Sequence, residues 1–209
     1  MPGKSQFGQD DWVIDHFDKK RGLVYVEIGV NDGYEGSNTA RLDTEFDWKG
    51  FCIDPRQNNM EGRTCTQLHV ALGSENKEVE FLVNDALSGV KGIVDNHGKN
   101  VHHAQMQGKE SIKVKMRRTD ELFKEANVPR VIDYMSLDVE GSEVEVLKSF
   151  PFDKHCVSFA TIETNRDSGA STAIRGIMES HGYEFVKEEG VDHVYQKDCT
   201  VVNTARGAR

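Results

Sequence analysis

The feature that most restricts the fold is a strand that runs directly into a glycine turn. Leu23-Val24-Tyr25-Val26-Glu27-Ile28 is an apolar run broken by one acid, and Gly29-Val30-Asn31-Asp32-Gly33 ends it. A helix is expected from about Ser37, with Leu42 and Phe46 four residues apart on one face. Gly50-Phe51-Cys52-Ile53-Asp54 then reads as a second strand, stopped by Pro55. Two strands separated by a helix are a parallel pair, because a parallel connection needs a long crossover.

The rest of the chain extends this pattern. Residues 9–18 read as a short amphipathic helix, 67–71 and 78–83 as strands, and 111–116 as a strand followed by a helix from Thr119. Residues 131–138 and 157–163 are further strands. Ser142-x-x-Glu145 has the form of a capping box between them. Ile174, Ile177 and Met178 mark a helix that Gly182 ends, and 183–187 with 191–196 form a closing hairpin. Residues 91–110 lack periodicity and are expected to be a long loop or lid. The reading is an α/β domain over residues 1–197, a mostly parallel sheet with helices on both faces and an antiparallel C-terminal strand. A polar tail at 198–209 is expected to be disordered or a linker, and the polar ends also suit a module of a longer chain.

Composition removes several function classes. Among 209 residues, 26 Lys and Arg stand against 35 Asp and Glu, a net charge of -9. Nucleic-acid affinity comes from neutralised phosphates, so a nucleic acid is not the expected partner. No apolar run approaches the roughly 18 to 20 residues of a membrane span, and the first residues lack the apolar segment of a signal peptide. Cys52, Cys65, Cys156 and Cys199 have no CxxC spacing, so neither a zinc site nor a disulfide framework is expected. Buried thiols in a reduced, cytoplasmic setting follow from that reading.

In open parallel sheets, ligands bind outside the carboxyl ends of the strands. Gly29 and Gly33 allow a tight turn there, and Glu27 can accept from a cationic amino group. A dinucleotide site needs G-x-G-x-x-G with a pyrophosphate on a helix N-terminus. Here two acids flank a different spacing and would repel the pyrophosphate, which disfavours an NAD-dependent oxidoreductase. Asp54 stands about 20 residues beyond Gly33, where nucleoside-binding folds place a ribose acceptor. An ordinary glycine turn and a strand-ending Asp are the plainer alternatives.

Tyr134-Met135-Ser136-Leu137-Asp138-Val139-Glu140-Gly141 brings two more carboxylates to a strand end, and Glu163-Thr164-Asn165 ends the next strand likewise. Asp138, Glu140 and Glu163 are the candidate catalytic acids, with His193 behind them. Asp138, Glu163 and Asn165 are also a candidate set of oxygen ligands for a divalent cation. The plainer alternative is that Glu140 and Glu163 hold loops through backbone amides. Four histidines, His69, His97, His102 and His103, are weaker candidates.

Four segments taken in order resemble the FkbM family of methyltransferases. They are Ser5-Gln6-Phe7-Gly8-Gln9-Asp10; Val26 to Gly33 with Gly36-Ser37-Asn38-Thr39; Trp48 to Pro55; and Leu137 to Glu143 with Val146-Leu147-Lys148. The resemblance runs from about residue 5 to about residue 196. It implies a Rossmann-like class I methyltransferase fold with a seven-stranded sheet and an S-adenosylmethionine-dependent O-methyltransferase, often acting on sugars or glycosylated products. S-adenosylhomocysteine would be its product. By that likeness Glu27, Gly29, Val30, Asn31 and Gly33 hold the methionine part of the donor, with Asp54 and Pro55 at its ribose. Ala71, Leu72 and Ser88 fall at its adenine, and Gln6, Gln9, Ser37, Asn38 and Asp138 complete its surroundings. Val30 departs from the alanine more usual in the family. The acceptor is then a small-molecule or glycan hydroxyl. The alternative is a non-catalytic adenosyl-binding module of a larger glycan-synthesis protein.

Overall fold

The computed structural model describes residues 5–57, 60–84, 87–93 and 109–200. The principal sheet contains β1 (Val24–Ile28), β2 (Lys49–Ile53), β3 (Thr66–Leu68), β8 (Val131–Leu137), β9 (Cys156–Glu163), β10 (Glu184–Glu189) and β11 (Asp192–Gln196). Their spatial order is β10-β11-β9-β8-β1-β2-β3. Every neighbouring pair from β9 to β3 is parallel, and β11 runs antiparallel to both β9 and β10. This is the Rossmann-like, seven-stranded arrangement expected, with one antiparallel strand. That strand is not at the edge: β11 lies inside the sheet and β10 closes it.

Residues alternate between two cores. Val26, Ile28, Met135, Leu137, Ala160, Ile162 and Tyr195 point to one face. That face is covered by α3 (Thr119–Glu125), α4 (Glu143–Lys148) and α5 (Ser168–Ser180) through Leu122, Phe123, Val146, Leu147, Ile174 and Met178. Tyr25, Tyr134, Phe159 and Val194 point to the other, against Val13 and Ile14 of α1 (Gln9–His16) and Leu42 of α2 (Ala40–Phe46). Burial on both faces is why the strands read as near-continuous apolar runs.

A second sheet was not foreseen. The segment expected as one strand over 67–71 divides at His69-Val70. Its first part is β3, and its second is β4 (Ala71–Gly73), which joins β5 (Lys77–Leu82), β6 (Gly89–Val90) and β7 (Ser111–Arg118) in the order β4-β7-β5-β6. Ala71, Phe81, Val90, Val114 and Met116 give this sheet its own core. Most of the expected lid, residues 94–108, lies outside the described residues.

The cysteine expectation is corrected. Cys52 is bonded to Cys65 and Cys156 to Cys199, and among the described residues no cysteine is free. Sequence spacing cannot reveal this, because strand pairing brings the partners together. Gln196 faces Phe159 in the antiparallel register of β11 and β9, and three further residues along each strand bring Cys199 opposite Cys156. Likewise Cys52 faces Gln67 across the β2–β3 pair, and Cys65 precedes Gln67 by two residues. Cys199, assigned to the polar tail, is therefore buried and tethered.

The capping box is also corrected. Ser142 is the N-cap residue of α4 but makes no side-chain capping bond. Glu145 instead accepts from Lys148 at 2.6 Å.

Candidate active site

A cavity of about 890 Å3 opens outside the carboxyl ends of β1, β2, β8 and β9, with the second sheet as its far wall. It lies where the strand order reverses, between β1 and β8, so the loops after those strands part and leave a crevice. Gly29, at φ 90°, has the reason for its glycine here: a Cβ would lie 1.6 Å from the Asp138 carbonyl oxygen. Its role is to let the loop after β1 cross the end of β8. Of the non-glycine residues in the left-handed region, Asn31 at φ 54° stands after β1, Glu140 at 55° after β8 and Asn165 at 48° after β9. All three line the cavity. Such conformations cost on the order of 1–3 kcal/mol each and gather at functional loops.

On the β1 side, Glu27 is buried and its carboxylate is already well bonded. It accepts from the Ser37 hydroxyl at 3.0 Å, the Asn38 amide at 2.9 Å and the Thr39 hydroxyl at 2.6 Å, and Arg63 approaches at 3.6 Å. Glu27 thus shapes the loop before α2. Asn38, which donates to Ser136 at 2.9 Å, leaves its Oδ1 buried and unpartnered. At the end of β2, Asp54 accepts from the Asn31 amide at 3.0 Å and from Arg56 through the backbone amide, Nε and Nη2.

On the β8–β9 side the carboxyl groups of Asp138, Glu143 and Glu163 each offer an oxygen within 4.8 Å of the others. Burial pushes Asp138 up to about 6, while a hydrogen bond with Glu163 restrains it. Burial raises Glu163 well above the usual carboxylate range, and the charges of Asp138, Glu140 and Glu143 raise it further. Glu163 is therefore the member that holds a proton and Asp138 the one that ionises first. Burial, then the charges of Asp138 and Glu143, push Glu140 up to about 8. Burial likewise pushes Glu143 up to about 7, against hydrogen bonds from the Val139 and Gly141 amides. So the acid that holds the loop through backbone amides is Glu143, rather than Glu140 or Glu163. Glu163 Oε2 and Ser142 Oγ are buried without partners.

Of the residues expected at the site, Gln6, Glu27, Gly29, Val30, Asn31, Ser37, Asn38, Asp54, Pro55, Ala71, Leu72, Ser88, Asp138, Glu140, Glu163 and Asn165 line the cavity. Gln9 and Gly33 stand behind its wall. Gln9 ties the chain's two ends, accepting from the Phe7 amide at 2.9 Å and donating to Asp192 at 2.7 Å. The Gly33 carbonyl accepts from Arg63. His193 contacts Tyr195 at 3.1 Å and Phe185 edge-on, away from the cavity, which removes it as a base. His69 is exposed and bonded to the Arg56 carbonyl, while His97, His102 and His103 lie outside the described residues.

Sequence reasoning missed Arg63, Arg56 and Glu143. Arg63 carries no motif, and only the folded chain brings it under the β1 loop. Arg56 had a weak signal, two residues after Asp54. Glu143 stood in the quoted motif, but its spacing from Val139 did not reveal the amides it binds.

Residues 27–185, more than half of the chain, match the methyltransferase FkbM domain. The chain belongs to the FkbM methyltransferase family. The matched span begins at Glu27 and includes the end of β1, both acid-bearing loops and the second sheet, so most of the cavity's lining falls within the FkbM domain, with Gln6, Phe7 and Val191 added from outside it. No curated protein matches the chain. Among solved structures, precorrin-6y C5,15-methyltransferase from Geobacter metallireducens is similar at 8% identity and TM-score 0.42, and a SAM dependent methyltransferase from Aquifex aeolicus at 14% identity and TM-score 0.36. Each alignment covers 90% of this chain and 88% of the other.

Proposed function

We propose that this FkbM-family methyltransferase uses S-adenosylmethionine to methylate a hydroxyl group of a sugar or glycan. The observation that carries the reading concerns unsatisfied polar atoms. Among the described residues three buried side-chain atoms lack a partner, Asn38 Oδ1, Ser142 Oγ and Glu163 Oε2, and all three residues line the one cavity. Buried polar groups are nearly always paired, so this wall is complementary to a ligand that brings donors. The ammonium and hydroxyl donors of S-adenosylmethionine fit that requirement. In this reading Asn38 receives the ammonium group in place of the occupied Glu27, and the Asp54 region receives the ribose. Ala71, Leu72 and Ser88 flank the adenine.

When bound, the cofactor supplies an electrophilic methyl on a sulfonium: the acceptor oxygen gains the methyl, the C–S electron pair stays on sulfur, and the hydroxyl loses its proton. The chain's part is to orient the hydroxyl, exclude water and take that proton. Asp138 is the base, kept ionised by the carboxyl group of Glu163, and Glu140 stands beside it as a hydrogen-bonding group for the acceptor. The crowding of Asp138, Glu143 and Glu163 can be relieved by protons or by a divalent cation. Glu143 then takes the place given to Asn165 in the expected ligand set.

Among the described residues no helix is long and apolar enough to cross a membrane. The two disulfides support an oxidising compartment in place of the cytoplasmic setting expected from cysteine spacing.

Isothermal calorimetry with S-adenosylmethionine and S-adenosylhomocysteine, with and without magnesium, tests the reading. Saturable binding of both is expected. A magnesium-dependent change assigns the acid trio to a cation, and no heat from a folded sample with either ligand removes the proposal.

A further inference from the structure

The first described segment of the chain straps the cavity. Ser5 forms a parallel bridge with Gly36, in the loop after β1, and Gln9 donates to Asp192, the first residue of β11, at 2.7 Å. In the strand order these anchors lie on either side of β8 and β9, so the strap passes the strand ends that lead to Asp138 and Glu163. Gln6 and Phe7, between the anchors, both line the cavity. Among the described residues two large apolar side chains are exposed, Phe7 at 41% and Val186 at 43%, and of these Phe7 lines the cavity. Its ring is supported from one side. A Cβ built on Gly190, in the β10–β11 turn, would lie 3.1 Å from the ring's Cγ and 3.3 and 3.4 Å from its two Cδ atoms. The in-plane approach to Cγ is taken by the residue's own Cβ, so Gly190 lies over one face of the ring. The opposite face and the rim are left to the cavity. Glu163 and Asn165 stand at this β9 end of it. Ala71 and Leu72, beside the adenine in the proposed reading, belong to the second sheet on the far wall.

We infer that Phe7 determines acceptor specificity: the cavity side of its ring stacks on the apolar face of the sugar whose hydroxyl is methylated. The inference rests on the proposed sugar acceptor and deepens it by naming the residue that recognises the ring. A pyranose is amphipathic, with hydroxyls around its rim and C–H groups on its faces. The face of an aromatic ring carries negative potential and attracts such weakly positive groups. An acyclic polyol offers the same hydroxyls but no fixed apolar face, so a stacking platform separates the two. Binding sites pair apolar and aromatic surface with a few placed polar groups that fix orientation. Here Phe7 is the aromatic surface, and Glu140 and Asn165, which line the same cavity, are the polar partners for the rim hydroxyls. The ring is preorganised for this task, because the Phe7 amide donates at 2.9 Å to the same Gln9 side chain that holds Asp192.

The test is a saturation-transfer NMR titration of the full chain, with S-adenosylhomocysteine bound, against the methyl pyranosides of glucose, galactose, mannose and rhamnose and against acyclic glucitol. It is run on the native protein and on Phe7→Ala, Phe7→Leu and Phe7→Trp, with S-adenosylmethionine affinity measured by calorimetry and folding by circular dichroism. The native protein is expected to bind at least one pyranoside and to bind it in preference to glucitol. Phe7→Ala is expected to weaken that pyranoside by roughly tenfold, the scale of a lost aromatic contact with the area it buries, and to leave donor affinity unchanged. Phe7→Trp should keep pyranoside binding, and Phe7→Leu, apolar but without a flat face, should not. Should Phe7→Ala fail to fold, the contrast between leucine and tryptophan decides. Unchanged pyranoside binding in Phe7→Ala overturns the inference, as does full binding in Phe7→Leu or glucitol binding equal to that of the pyranosides. An equal loss of donor in Phe7→Ala also overturns it, by assigning the ring to the cofactor. Donor binding with no signal from any pyranoside on the native protein overturns the sugar acceptor itself, and the inference with it.

Discussion

Arg63 Nε lies 2.9 Å from an Asp43 carboxylate oxygen, and neither side chain is exposed to solvent. The same guanidinium donates to the Thr39 hydroxyl at 2.8 Å, the Tyr25 hydroxyl at 3.1 Å and the Gly33 carbonyl. One cation therefore fastens β1, the loop after it and the start of α2. Burial pushes Asp43 up, but hydrogen bonds from Thr64 and Arg63 outweigh it and hold the carboxyl below its usual value. Removing the cation strands a buried carboxylate, which costs about 3–5 kcal/mol. Arg63→Met is expected to lose stability on that scale in urea denaturation. A loss within ~0.5 kcal/mol, the range of an ordinary surface substitution, would contradict the clamp.

The two disulfides separate stability from binding. Cys52–Cys65 closes the loop that carries Arg63, whereas Cys156–Cys199 ties the start of β9, at the other end of the sheet. Each paired replacement by alanine is expected to cost about 2–4 kcal/mol, read as a lower melting temperature. Only Cys52→Ala/Cys65→Ala is expected to weaken S-adenosylmethionine binding as well. Equal donor affinity in the two double variants would disconnect the loop from the site.

Asp138→Asn keeps the shape of the side chain and removes the proposed base. A general base contributes roughly 10²–10⁴-fold, so turnover is expected to fall in that range while donor affinity falls only several-fold. Near-normal turnover would take the proton-accepting role away from Asp138.

The raised acids make the ligand-free protein sensitive to alkali. A carboxyl whose folded value lies above its unfolded one stabilises the fold fully below the unfolded value, and that contribution is lost as pH rises through the folded value. With Asp138 at about 6, Glu143 at about 7 and Glu140 at about 8, the loss falls between about pH 4 and 8. Melting temperatures of the ligand-free protein are expected to decline across that window, and Glu163→Gln should flatten the decline. S-adenosylmethionine should offset it more at pH 8 than at pH 5. A melting temperature that rises from pH 5 to 8 would show that these groups are ionised without penalty.

The charge of the site also bears on the acceptor. Matched glycosides with and without a phosphate, offered to the protein with S-adenosylhomocysteine bound, are expected to show saturation-transfer NMR signals only for the neutral member. Signals from the phosphorylated member would mean that a cation outside the described walls reaches the acceptor.

Much of this was legible because the responsible signals are local. The run from Leu23 to Gly33 announced a strand and turn, and the strand-end acids Asp138 and Glu163 were found from strand ends alone. What stayed hidden depends on contacts between distant segments. Arg63 meets Asp43 across 20 residues, and Cys156 meets Cys199 across 43. The split at His69-Val70 was invisible because both halves are extended, and only their pairing partners differ. Ser142-x-x-Glu145 matched a capping pattern, yet neighbouring Glu143 reaches the amides of Val139 and Gly141.

The position of β11 inside the sheet has a consequence for how the protein is made. Synthesis proceeds from the N-terminus, so β9 and β10 leave the ribosome before the strand that separates them. Until residue 196 emerges, the hydrogen-bonding edge of β9 is open, and Asp192 cannot meet Gln9 across the 183 residues between them. The candidate cavity, bounded by Glu163 at the end of β9 and by Val191 just before β11, is consequently finished among the last steps of folding. A nascent chain halted before that point presents a bare strand edge, an invitation to chaperones or to aggregation.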